Sequence, residues 1–178
     1  MNPAAVVMVM AALLLSLTGC AERPAPTPRQ HAYPRLQLYP ATYSPVELRA
    51  ASLTPLVNDS AQVEILSPEW FNIVYPAYGV KVNCTISPYA PDVMANRRER
   101  IDRNLGGAVA EAAYLPAGVV VVAPGALRTP VQLLATDSAR WVLSGVAVSN
   151  FPPDAPADSV APVIDALAKD LTILVNSL

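Results

Sequence analysis

The chain has 178 residues, a formal net charge of −2 and a single histidine, His31. The weak negative charge argues against nucleic acid as a partner, because phosphate binding needs a basic face. One imidazole is too few for most zinc sites, and its place outside the patterned part of the chain removes every triad built on a positioned histidine.

The chain opens with an apolar run over 4–17 that ends in Leu17-Thr18-Gly19-Cys20 and gives way to AERPAPTPRQ. A membrane-spanning helix needs about 20 consecutive apolar residues, so the run fits the h-region of an export signal instead. Leu17 to Cys20 read as a lipobox: small residues admit the peptidase, and the Cys20 thiol takes up a diacylglyceryl group, with an acyl chain such as palmitate on the freed amino terminus. The expected division is a lipoprotein signal peptide over 1–19, a tether over 20–34 and one domain over 35–178. The tether carries Pro24, Pro26, Pro28 and Pro34 and lacks an apolar pattern. At about 3 Å per residue in polyproline geometry it holds the domain some tens of ångströms off the membrane. With Cys20 lipidated, Cys84 has no disulfide partner. It alternates with Val80, Val82 and Ile86 on the apolar side of an expected strand, where a thiol behaves as a small hydrophobe.

Beyond the tether the pattern predicts a short strand over 36–40, an ambiguous helical turn with loop over 44–60, and strands over 62–66, 70–76 and 80–87, the last two joined by the hairpin link YPAYG. Behind Pro91, the spacing of Met94, Ile101, Leu105, Val109 and Ala112 predicts one helix over 92–113, with Asp92 as its N-cap and Gly106 and Gly107 as weak points. GVVVVA over 118–123 predicts a buried strand. PVQLLAT and RWVLSGVAVS predict a hairpin turning at Asp137, Ser138 and Ala139. Val160, Ile164, Leu167, Leu171, Leu174 and Leu178 form one stripe of a closing helix from Asp158, with Ser159 as a candidate cap. Antiparallel hairpins interrupted by one helix and closed by another imply an α+β layered domain, mostly antiparallel sheet packed with helices.

No catalytic constellation emerges from this frame. Asp137 and Ser138 are adjacent turn formers and point apart, Gly106 and Gly107 lack a phosphate-loop spacing, and RRERIDR over 97–103 reads as a solvated helix face with Glu99–Arg103 and Arg98–Asp102 at ion-pair spacing. Trp70 and Trp141 are expected in the core. The residues point to no enzyme, no cofactor and no metal site.

WFNIVYPAYGVKVNCTISPY and TPVQLLATDSARWVLSGVAVSNFPPDAPADSVAPVIDALAKDL resemble the GldD gliding-motility lipoproteins of Bacteroidota, which share a WFNI strand, a PVQ strand leading to a TDS turn and an SxAPVID helix start. The resemblance covers most of the chain from Tyr33 onward. It implies a non-catalytic lipoprotein of the cell envelope that supports gliding motility and type IX secretion. It also implies lipid anchorage through Cys20, a periplasmic domain and envelope proteins as partners, with a fold analogous in pattern to PsbP and Mog1 proteins. Asp59-Ser60-Ala61 matches the acceptor triplet for O-glycosylation of exported proteins in that group, which makes Ser60 a candidate glycan site. The competing function is a periplasmic module that binds a small ligand or glycan between sheet and helix, which requires a concave pocket with convergent polar groups.

Overall fold

The computed structural model describes residues 38–178. The lipobox, the proline-rich tether with His31, and the first two positions of the expected 36–40 strand lie outside the described residues. In chain order the strands are β1 (Tyr43–Pro45), β2 (Leu56–Asn58), β3 (Gln62–Ile65), β4 (Trp70–Tyr75), β5 (Val80–Pro88), β6 (Glu111–Leu115), β7 (Gly118–Val122), β8 (Val131–Thr136) and β9 (Trp141–Ser149). Helix α1 (Pro91–Leu105) links β5 to β6, and α2 (Ala157–Asn176) follows β9.

β1 and β2 pair as a small ribbon, and the other seven strands form one sheet in the order β3-β4-β5-β9-β8-β7-β6, antiparallel throughout. The α+β expectation therefore holds. Two meanders, β3-β4-β5 and β6-β7-β8-β9, meet where β5 runs beside β9 from Val80↔Ser149 to Pro88↔Trp141. The alternation that predicted β5 is realised: Val80, Val82, Cys84 and Ile86 are buried while Lys81 and Asn83 are exposed. β8 is buried at five consecutive positions, Val131 to Ala135, because helices lie on both of its faces.

One sheet face carries Ile73, Val82, Leu143, Leu133 and Val120, all wholly buried. Over its β6-β7-β8 half lies α2, which buries Val160, Val163, Ile164, Leu167, Leu171, Leu174 and Val175. The rest of that face is covered by the chain before β3: Leu48, Leu53 and Val57 join the same core cluster, and Tyr39 stacks on Tyr75 and Tyr78 with ring centroids 6.2 and 4.6 Å away. Two glycines are required by close approach. A Cβ on Gly145 would lie 2.9 Å from Leu133 Cγ and 3.2 Å from Cys84 Sγ, and one on Gly118 would lie 2.2 Å from the Leu134 carbonyl oxygen.

A buried polar node fastens the ribbon to α2. The Asp170 carboxylate, 7% exposed, accepts a hydrogen bond from Tyr43 Oη at 2.7 Å and a longer one from Asn58 Nδ2 at 3.4 Å, and Ser177 Oγ accepts the Leu56 N–H at 2.8 Å. Burial pushes the Asp170 carboxyl above its ordinary range, opposed by the bonds from Tyr43 and Asn58. Burial and the Asp170 carboxylate together push the Tyr43 hydroxyl up to about 12.

Several expectations are corrected. Residues 38–40 form no strand; the first strand lies at Tyr43–Pro45, and the ambiguous stretch after it holds a 3-10 turn at Ala50–Ser52 and then β2. The helix expected over 92–113 ends at Leu105, because Gly106 and Gly107 take left-handed φ values of 56° and 83° and the Gly106 N–H closes on the Arg103 carbonyl. The alanines beyond pair as β6 with β7. Asp92 is not the N-cap: Ala90 holds that place without a side-chain bond, Pro91 opens the helix and Asp92 sits in the first turn, favourable to the helix dipole. Ser159 lies inside α2 and its hydroxyl donates to the Pro156 carbonyl. Trp141 is buried as expected, whereas Trp70 is 58% exposed on the sheet face opposite α2, which α1 covers at β8 and β9.

Two measurements test this packing. Leu167→Ala opens a cavity under α2 and should cost about 2–5 kcal/mol, and Gly118→Ala forces β7 from β8 and should cost about 1–3 kcal/mol; an unchanged denaturation midpoint for both would contradict the packing. Asp170 supplies a pH signature. Its folded-state pKa is raised, so its contribution to stability is fully present below the ordinary carboxylate value of about 4 and is lost as pH rises through the folded value. Asp170→Asn retains an acceptor for Tyr43 and cannot ionise, so it should flatten the pH dependence of the melting temperature in mild acid, whereas a curve parallel to the parent's would refute the assignment.

Candidate functional site

The chemistry-bearing residues singled out in the sequence are placed in structural roles. Cys84 is buried against Gly145, and burial pushes its thiol up to about 12, so it is not a nucleophile. Asp137 and Ser138 form the β8–β9 turn and do not act on one another. Asp137 Oδ1 accepts the backbone N–H groups of Ala139, Arg140 and Trp141 at 3.1, 2.7 and 3.1 Å, and Oδ2 accepts Arg140 Nε at 2.8 Å. Desolvation raises its pKa and is outweighed by these bonds, which hold the carboxyl well below the usual range. Ser138 has a φ of 60° and donates its N–H to Thr136 Oγ1. Ser60 lies half-buried in the turn after β2, its N–H bonded to Asn58 Oδ1.

The open chemistry lies on the other side of the sheet, beneath α1. This helix has no buried residue. It is held to the sheet by Asn104 Nδ2 donating to Gln132 Oε1 at 3.0 Å, by Arg97 Nη2 donating to Ser87 Oγ at 3.0 Å and by the half-buried Ile101. Glu99 and Arg103 pair on its outer side at 2.7 Å, as their spacing predicted.

A cleft opens on each flank of α1, and Ile101 lines both. Toward β6 and β7 a cavity of about 630 Å³ is walled by Met94, Leu105, Tyr114, Val119, Val121 and Leu134, with Arg98 and Asp102 of the helix also lining it. Toward β5 and β9 a cavity of about 360 Å³ brings polar side chains together between apolar ones, with Arg97, Arg100 and Asn104 from the helix and Asn83, Gln132 and Ser144 from the sheet. Burial, followed by the neighbouring Arg100 charge, lowers the Arg97 pKa. Farther out on the same face Glu64 accepts from Asn72 and Lys81 at 3.1 and 3.2 Å, and those two bonds lower its pKa.

Reading the sequence missed this site. The alternating charges of Arg97 to Arg103 favour a solvated helix face, with a docking surface for a partner as the lesser reading, and Gln132 lies in the apolar run PVQLLAT without a stated role. The available signal was that same glutamine: a strand apolar on both sides of it is buried on both faces, so its amide needs partners from whatever covers it.

Among the described residues no three His, Cys, Asp or Glu side chains gather as for a metal ion, and no helix is long and apolar enough to cross a membrane. No curated protein matches the chain at a significant level. The family model for the gliding motility lipoprotein GldD matches residues 23–178, spanning the whole described fold, both clefts and the fastened ribbon. The WFNI strand, the PVQ strand with its TDS turn and the APVID helix start thus sit at β4, β8 and α2 of one domain, and the chain belongs to the GldD family of gliding-motility lipoproteins.

Proposed function

We propose that the chain is a lipid-anchored, non-catalytic subunit of the cell envelope, tethered through Cys20 with its domain in the periplasm, that assembles or stabilises the gliding apparatus and the type IX secretion machinery behind it. The observation that carries this reading is the match of residues 23–178 to the family model of the gliding motility lipoprotein GldD. The chemistry of the described groups is in keeping with it: Cys84, Tyr75 and Asp170 are buried in the packing, and the Asp137 carboxylate is occupied by its own turn.

Two or three acyl chains on one cysteine anchor stably where a single chain of about 14 carbons is marginal. Confinement on a short linker then gives an effective concentration near the millimolar range for a partner in the same membrane. A second reading, a periplasmic ligand-binding module, is favoured by one specific observation, the polar cleft beside α1.

Cys20→Ser separates the two. The variant should fold, because the core draws nothing from the lipid, yet gliding or secretion should fail at native expression and recover partly on overexpression. Full activity from a demonstrably unlipidated, soluble protein at native levels would contradict the tethered-subunit reading.

A further inference from the structure

The polar cleft beside α1 is built around a missing acceptor. Gln132 is wholly buried, its Oε1 accepts from Asn104 Nδ2, and its Nε2 donor has no hydrogen-bond partner, the only such buried side-chain atom among the described residues. Leaving a buried amide donor unpaired is costly, so natural structures satisfy nearly all of them. Two cations line the same cavity. Arg97 bonds a neutral hydroxyl on Ser87, Arg100 makes no ion pair among the described residues, and no carboxylate lines the cleft. Of the nearby acids, Glu99 pairs with Arg103 and Glu64 with Lys81, while Asp102 makes no ion pair among the described residues, not even with Arg98, and lines the other cavity.

We propose that this cleft binds the oxyanion, carboxylate or phosphate, of a small ligand of about monosaccharide size, with Arg97, Arg100 and Gln132 Nε2 as its donors. Guanidinium forks match the paired oxygens of both groups, and hydrogen bonds between charged partners are about twice as strong as neutral ones. The volume, about 360 Å³, lies at the lower end of the range for small-molecule pockets and admits one sugar ring rather than a polymer. Asn83 and Ser144 on the sheet wall add neutral hydrogen-bonding groups suited to hydroxyls. Bound anion would also favour the charged form of Arg97, against the burial and then the Arg100 repulsion that lower its pKa. The inference rests on the ligand-binding reading of the proposed function and extends it by a ligand.

The test is calorimetric titration of the full lipidated chain in detergent with glucuronate, glucose 6-phosphate and inorganic phosphate, and with glucose as the uncharged control. At least one anion should bind with a Kd below about 10 mM, weakening with added salt, while glucose does not. Glucuronate alone would mark a carboxylate ligand, the two phosphates alone a phosphate ligand, and either supports the site. Arg100→Gln should weaken binding at least about tenfold, and so should Gln132→Met, which keeps the side-chain length and removes the amide; Arg100 is exposed, so its variant remains informative if Gln132→Met fails to fold. Anions binding no better than glucose, or binding indifferent to Arg100→Gln in the folded protein, would overturn the proposal.

Discussion

The pairing of β5 with β9, from Val80↔Ser149 to Pro88↔Trp141, is the constraint on which the rest of the molecule depends. It joins strands separated by more of the chain than any other ladder in the sheet, so its closure entropy is recovered only by the contacts it makes possible. Those contacts centre on Gly145, where the missing Cβ lets Leu133 and Cys84 close over the strand. With β5 and β9 side by side, everything between them must leave one side of the sheet centre and return at the far edge. Helix α1 makes that crossing on one face, and the hairpins β6-β7-β8 bring the chain back to β9. Helix α2, emerging from β9, takes the other face.

The two faces are thereby given different physics. Under α2 seven aliphatic side chains are buried, at about 1.5–3 kcal/mol each, and the Asp170 node ties the ribbon to the same helix. Under α1 no helix residue is buried; its hydrogen bonds to the sheet side are the Asn104–Gln132 amide pair, Arg97 on Ser87 and Thr129 on the Asn104 carbonyl, and Val93, Met94, Ile101 and Leu105 are only half-buried. Stability and binding chemistry are thus segregated to opposite sides of one sheet, so the α1 side can change without exposing the core.

Much of this was legible in the residues. Period-two alternation found β3, β4 and β5, branched runs found β7, the polar triplet at Asp137 found the β8–β9 turn, and a 3.6-residue stripe found α2. The failures share a cause: local propensity was read where tertiary context decides. Ala110 to Ala113 keep the helical spacing, but Gly106 and Gly107 have already ended the helix before them, and pairing with β7 makes EAAYL a strand. The β1–β2 ribbon is three residues per strand and is held by α2, which packs on β2 and bonds Tyr43, Asn58 and Leu56 through Asp170 and Ser177, which no window of that sequence encodes. Trp70 was placed in the core by its size, yet strand parity puts it on the opposite side from Phe71. The cleft was hidden for the same reason, since Arg97, Asn104 and Gln132 become one site only once α1 is laid across β8 and β9.

Helix α1, with no residue buried, should open independently of the core beneath α2. Native-state hydrogen exchange of the full chain tests it residue by residue. Amides of α1 should exchange through local opening at a free energy well below that of global unfolding, while those of β5, β9 and α2 exchange only with global unfolding. Protection across α1 equal to that across α2 would show the helix to be part of one cooperative core, and would contradict a sheet with one closed face and one open one.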